Sequence, residues 1–378
     1  YLARIGNCGA CHTARGGEAF AGGRGIATPF GIVHAPNITP DATTGLGHWT
    51  RADFRRALRD GRSKDGHLLY PAFPFANTTR MAVDDIDALF DYLRSVPPVN
   101  RPNRAHALDF PYDQAWLLGA WRALYFTPGG YVPDTSRSAS WNRGAYLVQG
   151  VAHCDACHSQ RNALGGIVRG TELAGGTMPG TGWYAPSLRD PREASLAGWK
   201  PDDAAHLLAT GVAPGAGVSG PMAEVVFRGT QHLTTDDRAA IVEYVQSLPQ
   251  VAASRMVPKP VDPRDTVFFR GAKIYTDHCA DCHGRRGEGR EGAYPALAGN
   301  RAVTMPVATN VIRAVLSGGF APATAGNPRP FGMPPFAQSL GDADIAAVVT
   351  YIRNAWGNAA TPVSAVAINR ERGARVEQ

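Results

Sequence analysis

Several features that would assign a function directly are missing from this sequence. It has no run of 18 apolar residues, so we expect that the chain does not cross a bilayer by itself. It has no block of five or more Lys or Arg, which argues against nucleic-acid binding, and its net charge of +6 is spread along the chain. A signal peptide, a nucleophile elbow, a Walker A loop and a dinucleotide fingerprint are all absent, so the common catalytic and nucleotide-binding motifs do not apply.

No cysteine lies outside three short motifs of the form C-x-x-C-H. This is the spacing of covalent c-type haem attachment, in which two thiols form thioethers with the porphyrin and the following His ligates the iron. The sequence therefore predicts three covalently bound haem c groups. The predicted thioether residues are Cys8, Cys11, Cys154, Cys157, Cys279 and Cys282, and the predicted proximal iron ligands are His12, His158 and His283.

Other uses of paired cysteines fit this sequence less well. A structural zinc site needs four ligands, commonly from two C-x-x-C pairs, and no fourth ligand recurs here at a regular spacing. A thioredoxin-like dithiol needs a βαβ context, and nothing around the motifs resembles a parallel strand. Two cysteines three apart in sequence rarely form a disulfide without strain. Haem attachment is the interpretation that accounts for all six thiols.

The three motifs divide the 378 residues into units of ordinary domain size. A short helical run leads into each motif, and the second and third runs share an Arg-Gly-Ala sequence that begins at Arg143 and Arg270. The first run lacks its opening turn, so we expect further residues, with an export signal, before Tyr1. The predicted segments are domain 1 at 1–100, a connector at 101–140, domain 2 at 141–250, a Pro-rich linker at 251–266, domain 3 at 267–358 and a tail at 359–378.

Each unit ends in an amphipathic helix, in which apolar residues recur at helical spacing and an aromatic residue, Tyr92, Tyr244 or Tyr351, recurs at the same point. Each helix starts with Asp or Thr, which predicts N-caps, and acidic residues follow in the first turn. A helix that opens at the haem motif and a helix that closes across it predict a mainly α fold of three tandem class I-type cytochrome c domains with long loops. The predicted closing helices span 84–93, 235–248 and 342–356.

The loops before the closing helices must supply a sixth iron ligand, which is usually Met or His. The chain has six Met, and one Met in each unit lies in that loop. We predict that these three, Met81, Met222 and Met333, are the distal ligands. Pro adjoins the last two and stiffens their loops. The competing candidates are Met178, His67 and His232.

The connector contains a strongly apolar and aromatic run over 115–126 that is too short to span a bilayer. It is either a helix buried between the haem units or a patch for a membrane surface or partner subunit, since Trp and Tyr favour such interfaces. The linker, which contains Pro258, Pro260 and Pro263, predicts an extended segment. The tail has weak periodicity and is either a strap on a partner or the remnant of an anchor.

Haem iron ligated by His on one face and Met on the other has no free position for a substrate, and it exchanges single electrons. Three such centres in one chain predict an electron relay without a catalytic site of its own. A second interpretation stays open: if one haem lacks its sixth ligand, the chain is a multi-haem redox enzyme of the peroxidase or thiosulfate-oxidising type. Because haem c is attached outside the cytoplasm, we expect the chain at the periplasmic side of a bacterial inner membrane, peripheral or anchored by segments outside this chain.

Four stretches besides the haem motifs carry a resemblance to a known family. They are Leu-Tyr-Pro-Ala-Phe-Pro at 69–74, Asn-Arg-Gly-Ala-Tyr-Leu-Val at 142–148, Gly-Trp-Tyr-Ala-Pro at 182–186 and Gly-Pro-Met-Ala-Glu-Val-Val at 220–226. With these stretches the chain resembles, over nearly its whole length, the tri-haem cytochrome c subunits of bacterial membrane-bound dehydrogenases that act on alcohols, aldehydes, gluconate or fructose.

The resemblance implies that the chain accepts electrons from a separate catalytic subunit, which uses a flavin, pyrroloquinoline quinone or a molybdopterin, and passes them to membrane ubiquinone. It also implies His–Met ligation, with the pairs His12 and Met81, His158 and Met222, and His283 and Met333. The chain has no recognisable C-terminal membrane segment. The run over 115–126 is therefore our candidate for contact with the membrane surface or the quinone.

Overall fold

A computed structural model of the chain describes residues 1–251, 261–262 and 264–373. Most of the predicted Pro-rich linker, at 252–260 and 263, lies outside the described residues, as does the end of the predicted tail at 374–378. The described residues are mainly helical, with short antiparallel strands, and they form two compact units. The three-domain division stays a prediction.

Unit 1 comprises Tyr1–Leu173, Met178–Thr181 and His232–Tyr244. It contains the first two haem motifs. A π-helical turn, Leu147–Val151, continues directly from one of its helices. The helices of unit 1 are α1 Leu2–Ile5, α2 Cys8–His12, α3 Arg51–Asp60, α4 Phe75–Thr78, α5 Val83–Ser95, α6 Ala115–Tyr125, α7 Ala139–Tyr146 and α8 Asp155–His158. Its strands β1 Gly25–Thr28, β2 Gly31–His34 and β3 Ala107–Leu108 form one antiparallel sheet in that order.

Unit 2 comprises Ala174–Thr177, Gly182–Gln231 and Val245–Gln378, and it contains the third motif. Helix α11, Thr235–Gln246, contributes residues to both units. The other helices of unit 2 are α9 Pro201–Thr210, α10 Pro221–Arg228, α12 Thr266–His278, α13 Ala280–His283, α14 Arg301–Thr304, α15 Thr309–Ser317, α16 Asp342–Asn354 and α17 Ala365–Gly373. Its strands pair as three hairpins, β4 Gly176–Thr177 with β5 Tyr184–Ala185, β6 Val212–Ala213 with β7 Ala216–Gly217, and β8 Gly319–Phe320 with β9 Gly332–Met333.

The helix before the third motif crosses the closing helix of unit 2 through a set of three contacts. Arg270 Nε donates to Asp344 Oδ1 at 2.8 Å, and the rings of Phe268 and Tyr351 meet edge to face with centroids 5.0 Å apart. The third contact joins the two helix backbones. It lies at Gly271 of α12, where any Cβ would meet the carbonyl oxygen of Ala347 in α16. The Arg-Gly-Ala sequence thus marks a helix crossing that needs a residue without a side chain.

The same three contacts recur in unit 1 between α7 and α11. Arg143 Nε donates to Asp237 Oδ1 at 2.7 Å, and the rings of Trp141 and Tyr244 lie 5.1 Å apart. A Cβ on Gly144 would be 2.0 Å from the carbonyl oxygen of Ala240. Two stretches that share a short sequence therefore also share a packing geometry, which supports the internal repeat.

The core of unit 2 is built around α16. Ile345, Val349 and Ile352 are each at most 4% exposed, and they pack with residues of α12 and α15. Full burial of such a side chain contributes about 1.5–3 kcal/mol. The buried Arg353 links this helix to α14, because its Nη1 donates to the carbonyl oxygen of Val303 at 2.7 Å. Burial lowers the pKa of this guanidinium to about 10.

The structure corrects the predicted N-caps. Ala82 and Gly341 occupy the N-cap positions of α5 and α16, and neither helix has a side-chain cap. Before α11 the capping oxygen belongs to Thr234, whose hydroxyl accepts from Asp237 N at 3.1 Å. The acidic residues lie one to three positions into each helix, where a negative charge interacts favourably with the helix dipole.

The apolar run lies at the surface of the described residues. The run forms α6, and none of its described residues is buried. Trp116 is 69% exposed and Leu124 is 59% exposed. One face of α6 therefore presents Trp116 and Leu124 to solvent. On the same helix Trp121 Nε1 donates to the carbonyl oxygen of Leu164 at 2.8 Å.

Candidate haem-binding sites

The first C-x-x-C-H motif forms the short helix α2. Asn7, the residue before Cys8, has a φ of 53°, so the chain turns in the left-handed region between α1 and α2. The helix ends at His12, whose Nδ1 lies 2.8 Å from the carbonyl oxygen of Pro36. Since a carbonyl oxygen only accepts, Nδ1 carries the proton and Nε2 is the nitrogen with a lone pair.

The third motif repeats this arrangement in unit 2. His283 ends α13, and its Nδ1 lies 2.9 Å from the carbonyl oxygen of Pro295. A hydrogen bond also holds the end of this motif, since Tyr275 Oη donates to the carbonyl oxygen of Gly284 at 2.6 Å. The orientation of the imidazole is therefore fixed by a backbone carbonyl in both motifs.

These two histidines fit the role of proximal haem ligand. Burial lowers the pKa of His12 and of His283, which keeps both rings neutral at pH 7. A neutral imidazole that donates through one nitrogen and offers the other as a lone pair is the form in which His ligates a metal. The donor set and its hydrogen bonding thus suit haem iron at both motifs.

The second motif lies in unit 1, and the helical segment that precedes it differs from those before the other two motifs. The helix α7 leads into the π-helical turn, and π-helical turns often occur at functional sites. His153, immediately before Cys154, has a φ of 40°, so it takes the left-handed conformation that Asn7 takes in the first motif. His158 ends α8, as the predicted ligands of the other motifs end α2 and α13.

The six cysteines all lie within the described residues, and none forms a disulfide. Burial raises the pKa of the thiols of Cys8 and Cys154 to about 12 and that of Cys279 to about 11. Such thiols are poor nucleophiles, unlike those of cysteine enzymes, whose pKa is lowered. Among the described residues no three His, Cys, Asp or Glu side chains cluster as a metal-ion site.

Met333 lies in unit 2 with the third motif. It belongs to β9, where it pairs with Gly319 of β8, and its side chain is partly buried. Met333 and Cys279 both pack against the core cluster of unit 2. A predicted distal ligand and a predicted thioether residue thus lie against one cluster.

The other candidate methionines differ in their surroundings. Met81 is 3% exposed in unit 1, two residues before α5. Met222 is the second residue of α10 in unit 2, and it is partly buried. Its competitor Met178 is also partly buried and belongs to unit 1, as the second motif does.

The competing histidines both have local partners. His67 is exposed, and its Nδ1 lies 2.5 Å from Asp65 Oδ1. His232 ends the 3-10 turn Thr230–His232, and its Nδ1 lies 3.5 Å from Arg4 Nη1. Neither His67 nor His232 adjoins a cysteine pair in the sequence.

Sequence reasoning missed the two prolines whose carbonyl oxygens orient the imidazoles. Pro36 lies 24 residues after His12, whereas Pro295 lies 12 residues after His283. The unequal spacing gives no periodic signal, and a backbone acceptor needs no particular side chain. The fact that a Pro follows each of these motifs was the one cue that the sequence offered.

Comparison with known proteins places the chain in a family. Residues 2–97 and 269–356 match the cytochrome c family model. The chain is 37% identical to the cytochrome c subunit of the quinone alcohol dehydrogenase of Gluconacetobacter polyoxogenes, over 95% of this chain and 80% of that subunit. It is 36% identical to the gluconate 2-dehydrogenase cytochrome c subunit of Pantoea cypripedii, over 95% of this chain and 85% of that protein. It is 34% identical to the fructose dehydrogenase cytochrome subunit of Gluconobacter japonicus, over 98% and 81%.

The chain belongs to the cytochrome c subunits of bacterial dehydrogenases. As a cytochrome c it carries covalently bound haem c and transfers electrons. Its relatives are subunits of dehydrogenase complexes, which implies a catalytic dehydrogenase as partner of this cytochrome subunit. Of the helices within 1–251 and 264–373, none has the length and apolar content required to cross a bilayer.

Proposed function

We propose that this cytochrome subunit binds three haem c groups and relays electrons from a partner dehydrogenase to ubiquinone at the periplasmic side of the inner membrane. The observation that carries the proposal is the set of three C-x-x-C-H motifs, two of which hold the His ring by a carbonyl oxygen on Nδ1. A relative is named as part of a quinone alcohol dehydrogenase, which favours a quinone as the acceptor.

Haem c supplies one-electron transfer when it is bound. In this proposal Cys8, Cys11, Cys154, Cys157, Cys279 and Cys282 hold the porphyrins through thioethers, and His12, His158 and His283 ligate the irons. Met81, Met222 and Met333 would supply the sixth ligands and would keep substrates and water away from the irons. The pairs belong to cytochrome c domains at 1–100, 141–250 and 267–358.

The exposed face of α6 is the part of this proposal that concerns the membrane. Trp116 and Leu124 project from a helix of 11 residues, which is too short to cross a bilayer but suits its interface. Trp is enriched at membrane–water interfaces because one part of the ring is apolar and the indole N–H is polar. We assign this face to the membrane surface from which ubiquinone is reached.

Reconstitution of the complete complex tests the proposal. Addition of the dehydrogenase substrate should reduce all haems of this subunit, and a ubiquinone analogue should then reoxidise them with matching stoichiometry. Carbon monoxide should not bind the reduced protein, since each iron keeps its Met. Strong carbon monoxide binding at one haem, together with turnover of peroxide or thiosulfate, would overturn the relay in favour of a multi-haem enzyme. Reoxidation that requires a soluble acceptor instead would overturn the assignment to ubiquinone.

A further inference from the structure

The first and second haem motifs are neighbours within unit 1. His153, the residue before Cys154, places its Nε2 3.2 Å from the carbonyl oxygen of Gly6, which lies two residues before Cys8. Since that oxygen only accepts, Nε2 carries the proton. The left-handed φ of 40° at His153 is uncommon for a residue other than glycine, and such conformations cluster at functional sites.

The backbone before Cys8 also lies against the segment before Cys154. A Cβ added to Gly6 would be 3.0 Å from the carbonyl oxygen of Leu2 and 3.3 Å from that of Val151. Gly6 has a φ of −78°, so the backbone itself would accept a side chain, and the limit there is space.

Further contacts join residues 77–80 to the second motif and to the segment before it. Asn77, which is 4% exposed on α4, donates through Nδ2 to the side chain of Asp155 inside the second motif. The same Nδ2 lies 2.9 Å from the carbonyl oxygen of Gln149. Arg80 Nη1, three residues further on, donates to Gln149 Oε1 at 2.5 Å. The loop before α5 therefore holds the second motif in place.

We propose that the hydrogen bond from His153 to Gly6 is the bridge for electron transfer between the first two haems. This inference rests on the proposed function. The bridge joins Cys8 to Cys154 through covalent bonds and one hydrogen bond, with no gap to cross through space. Electronic coupling decays less per unit length along covalent and hydrogen bonds than across a non-bonded gap, so this bonded route contributes to the coupling of the two centres. One electron passes per transfer, one iron is oxidised as the other is reduced, and the His153 ring keeps its proton.

His153 is thus a positioning residue that couples two centres and touches no substrate. The third motif supplies a matched control. His278 also directly precedes the first Cys of its motif, but it is exposed, and its side chain makes no hydrogen bond within the part of the chain that the structure describes. Its nearest aromatic neighbour is Phe336, at 6.1 Å between ring centroids.

The test compares His153→Phe, His153→Gln and the control His278→Phe in the haem-loaded protein. The rate of electron exchange between the haems is measured after a flash of photoreductant, and the magnetic coupling of the oxidised haems is measured by EPR. We expect a several-fold slower exchange in His153→Phe, recovery in His153→Gln, whose amide N–H reaches the same oxygen, and no change in His278→Phe. Gly6→Ala keeps His153 but should push the segment before Cys8 away from the segment before Cys154. This variant should also slow the exchange.

The mass of each intact variant shows which haems are attached, and only variants with unchanged haem content enter the comparison. A wild-type rate in His153→Phe would overturn the bridge. Equal slowing in His153→Phe and His153→Gln would assign His153 to packing and would likewise overturn it. If Phe is not tolerated at position 153, Gly6→Ala decides alone, and an unchanged rate there has the same meaning. Absence of haem at the third motif alone would contradict the three-haem proposal while leaving the bridge intact.

Discussion

Gly271 lies against the carbonyl oxygen of Ala347, so that a Cβ on Gly271 would be only 2.2 Å from that oxygen. This contact sets the distance between the helix that leads into the third motif and the helix that closes unit 2. Ile274 and Tyr275, on the same helix as Gly271, belong to the core cluster that contains residues of α16. The positions of the third motif and of its closing helix therefore both depend on one residue without a side chain.

Gly271→Ala should force α12 and α16 apart. Overpacking of this kind typically costs about 1–3 kcal/mol, and a clash with backbone places the expected loss at the upper end of that range. The free energy of unfolding by denaturant measures the loss. The control is Gly373→Ala, where the added Cβ would have no described residue within 4 Å other than those of its own helix. Equal stability of Gly271→Ala and wild type would show that the crossing is not close-packed.

Asp237→Asn should weaken unit 1 in a manner that depends on pH. The side chain of Asp237 is 10% exposed and accepts hydrogen bonds from Arg143 and Tyr1, with Oη of Tyr1 2.5 Å away. The hydrogen bond from Arg143 is the main cause that holds the pKa of this carboxyl below its usual range. A charged hydrogen bond that is partly screened by solvent contributes about 1 kcal/mol.

The sign follows from linkage, because the folded state depresses the pKa of Asp237. Its stabilisation is complete above the unfolded value of about 3.9 and is lost as the pH falls through the lower folded value. The difference in unfolding free energy between wild type and Asp237→Asn should therefore be constant near pH 7 and shrink below about pH 4. Asp236→Asn, at the exposed neighbouring position, is the control. A difference that grows on acidification would contradict this assignment.

Met333→Leu should open one haem without unfolding the protein. Leu has nearly the volume of Met, so the stability loss should stay below about 1.5 kcal/mol. The absorption band at the red end of the oxidised spectrum, which reports Met–iron bonds, should weaken by the share of one haem, and that haem should then bind carbon monoxide. Met305→Leu is the control, since Met305 is 3% exposed in the same unit but follows α14. An unchanged band would exclude Met333 as a ligand.

Substitution of the two exposed side chains of α6 should weaken membrane contact. In Trp116→Ser combined with Leu124→Ser, the complex should bind lipid vesicles less tightly, because two large apolar groups no longer leave water. Ubiquinone reduction in detergent should stay unchanged, since no vesicle is needed there. Val366→Ser, at a position that is 71% exposed on α17, controls for exposed apolar area in general. Undiminished binding to vesicles would remove α6 from the membrane interface.

The sequence located the parts of this molecule that depend on local patterns. The closing helices were predicted within two residues at each end, because apolar spacing decides them. The haem motifs were evident because their chemistry requires a fixed spacing. The shared Arg-Gly-Ala sequence also indicated the repeated crossing, although its physical reason became clear only from the contacts of Gly144 and Gly271.

Features that depend on distant contacts could not be predicted. The partners of His12 and His283 are backbone carbonyls at unequal separations, and the bond between His153 and Gly6 joins residues 147 positions apart. No local pattern encodes such pairs. The exposure of α6 was equally undecided, since an apolar helix has the same composition whether it packs in a core or faces a partner. The N-caps were misplaced because Asp suits both the cap and the first turn.

The mass of the intact chain, purified from cells that attach haem c, tests most directly whether three haems are bound to this polypeptide. We predict the mass of the polypeptide plus three haem groups, and loss of one haem when the two cysteines of any one motif are replaced by Ala. A mass that corresponds to fewer than three haems in the wild-type chain would contradict the proposed relay.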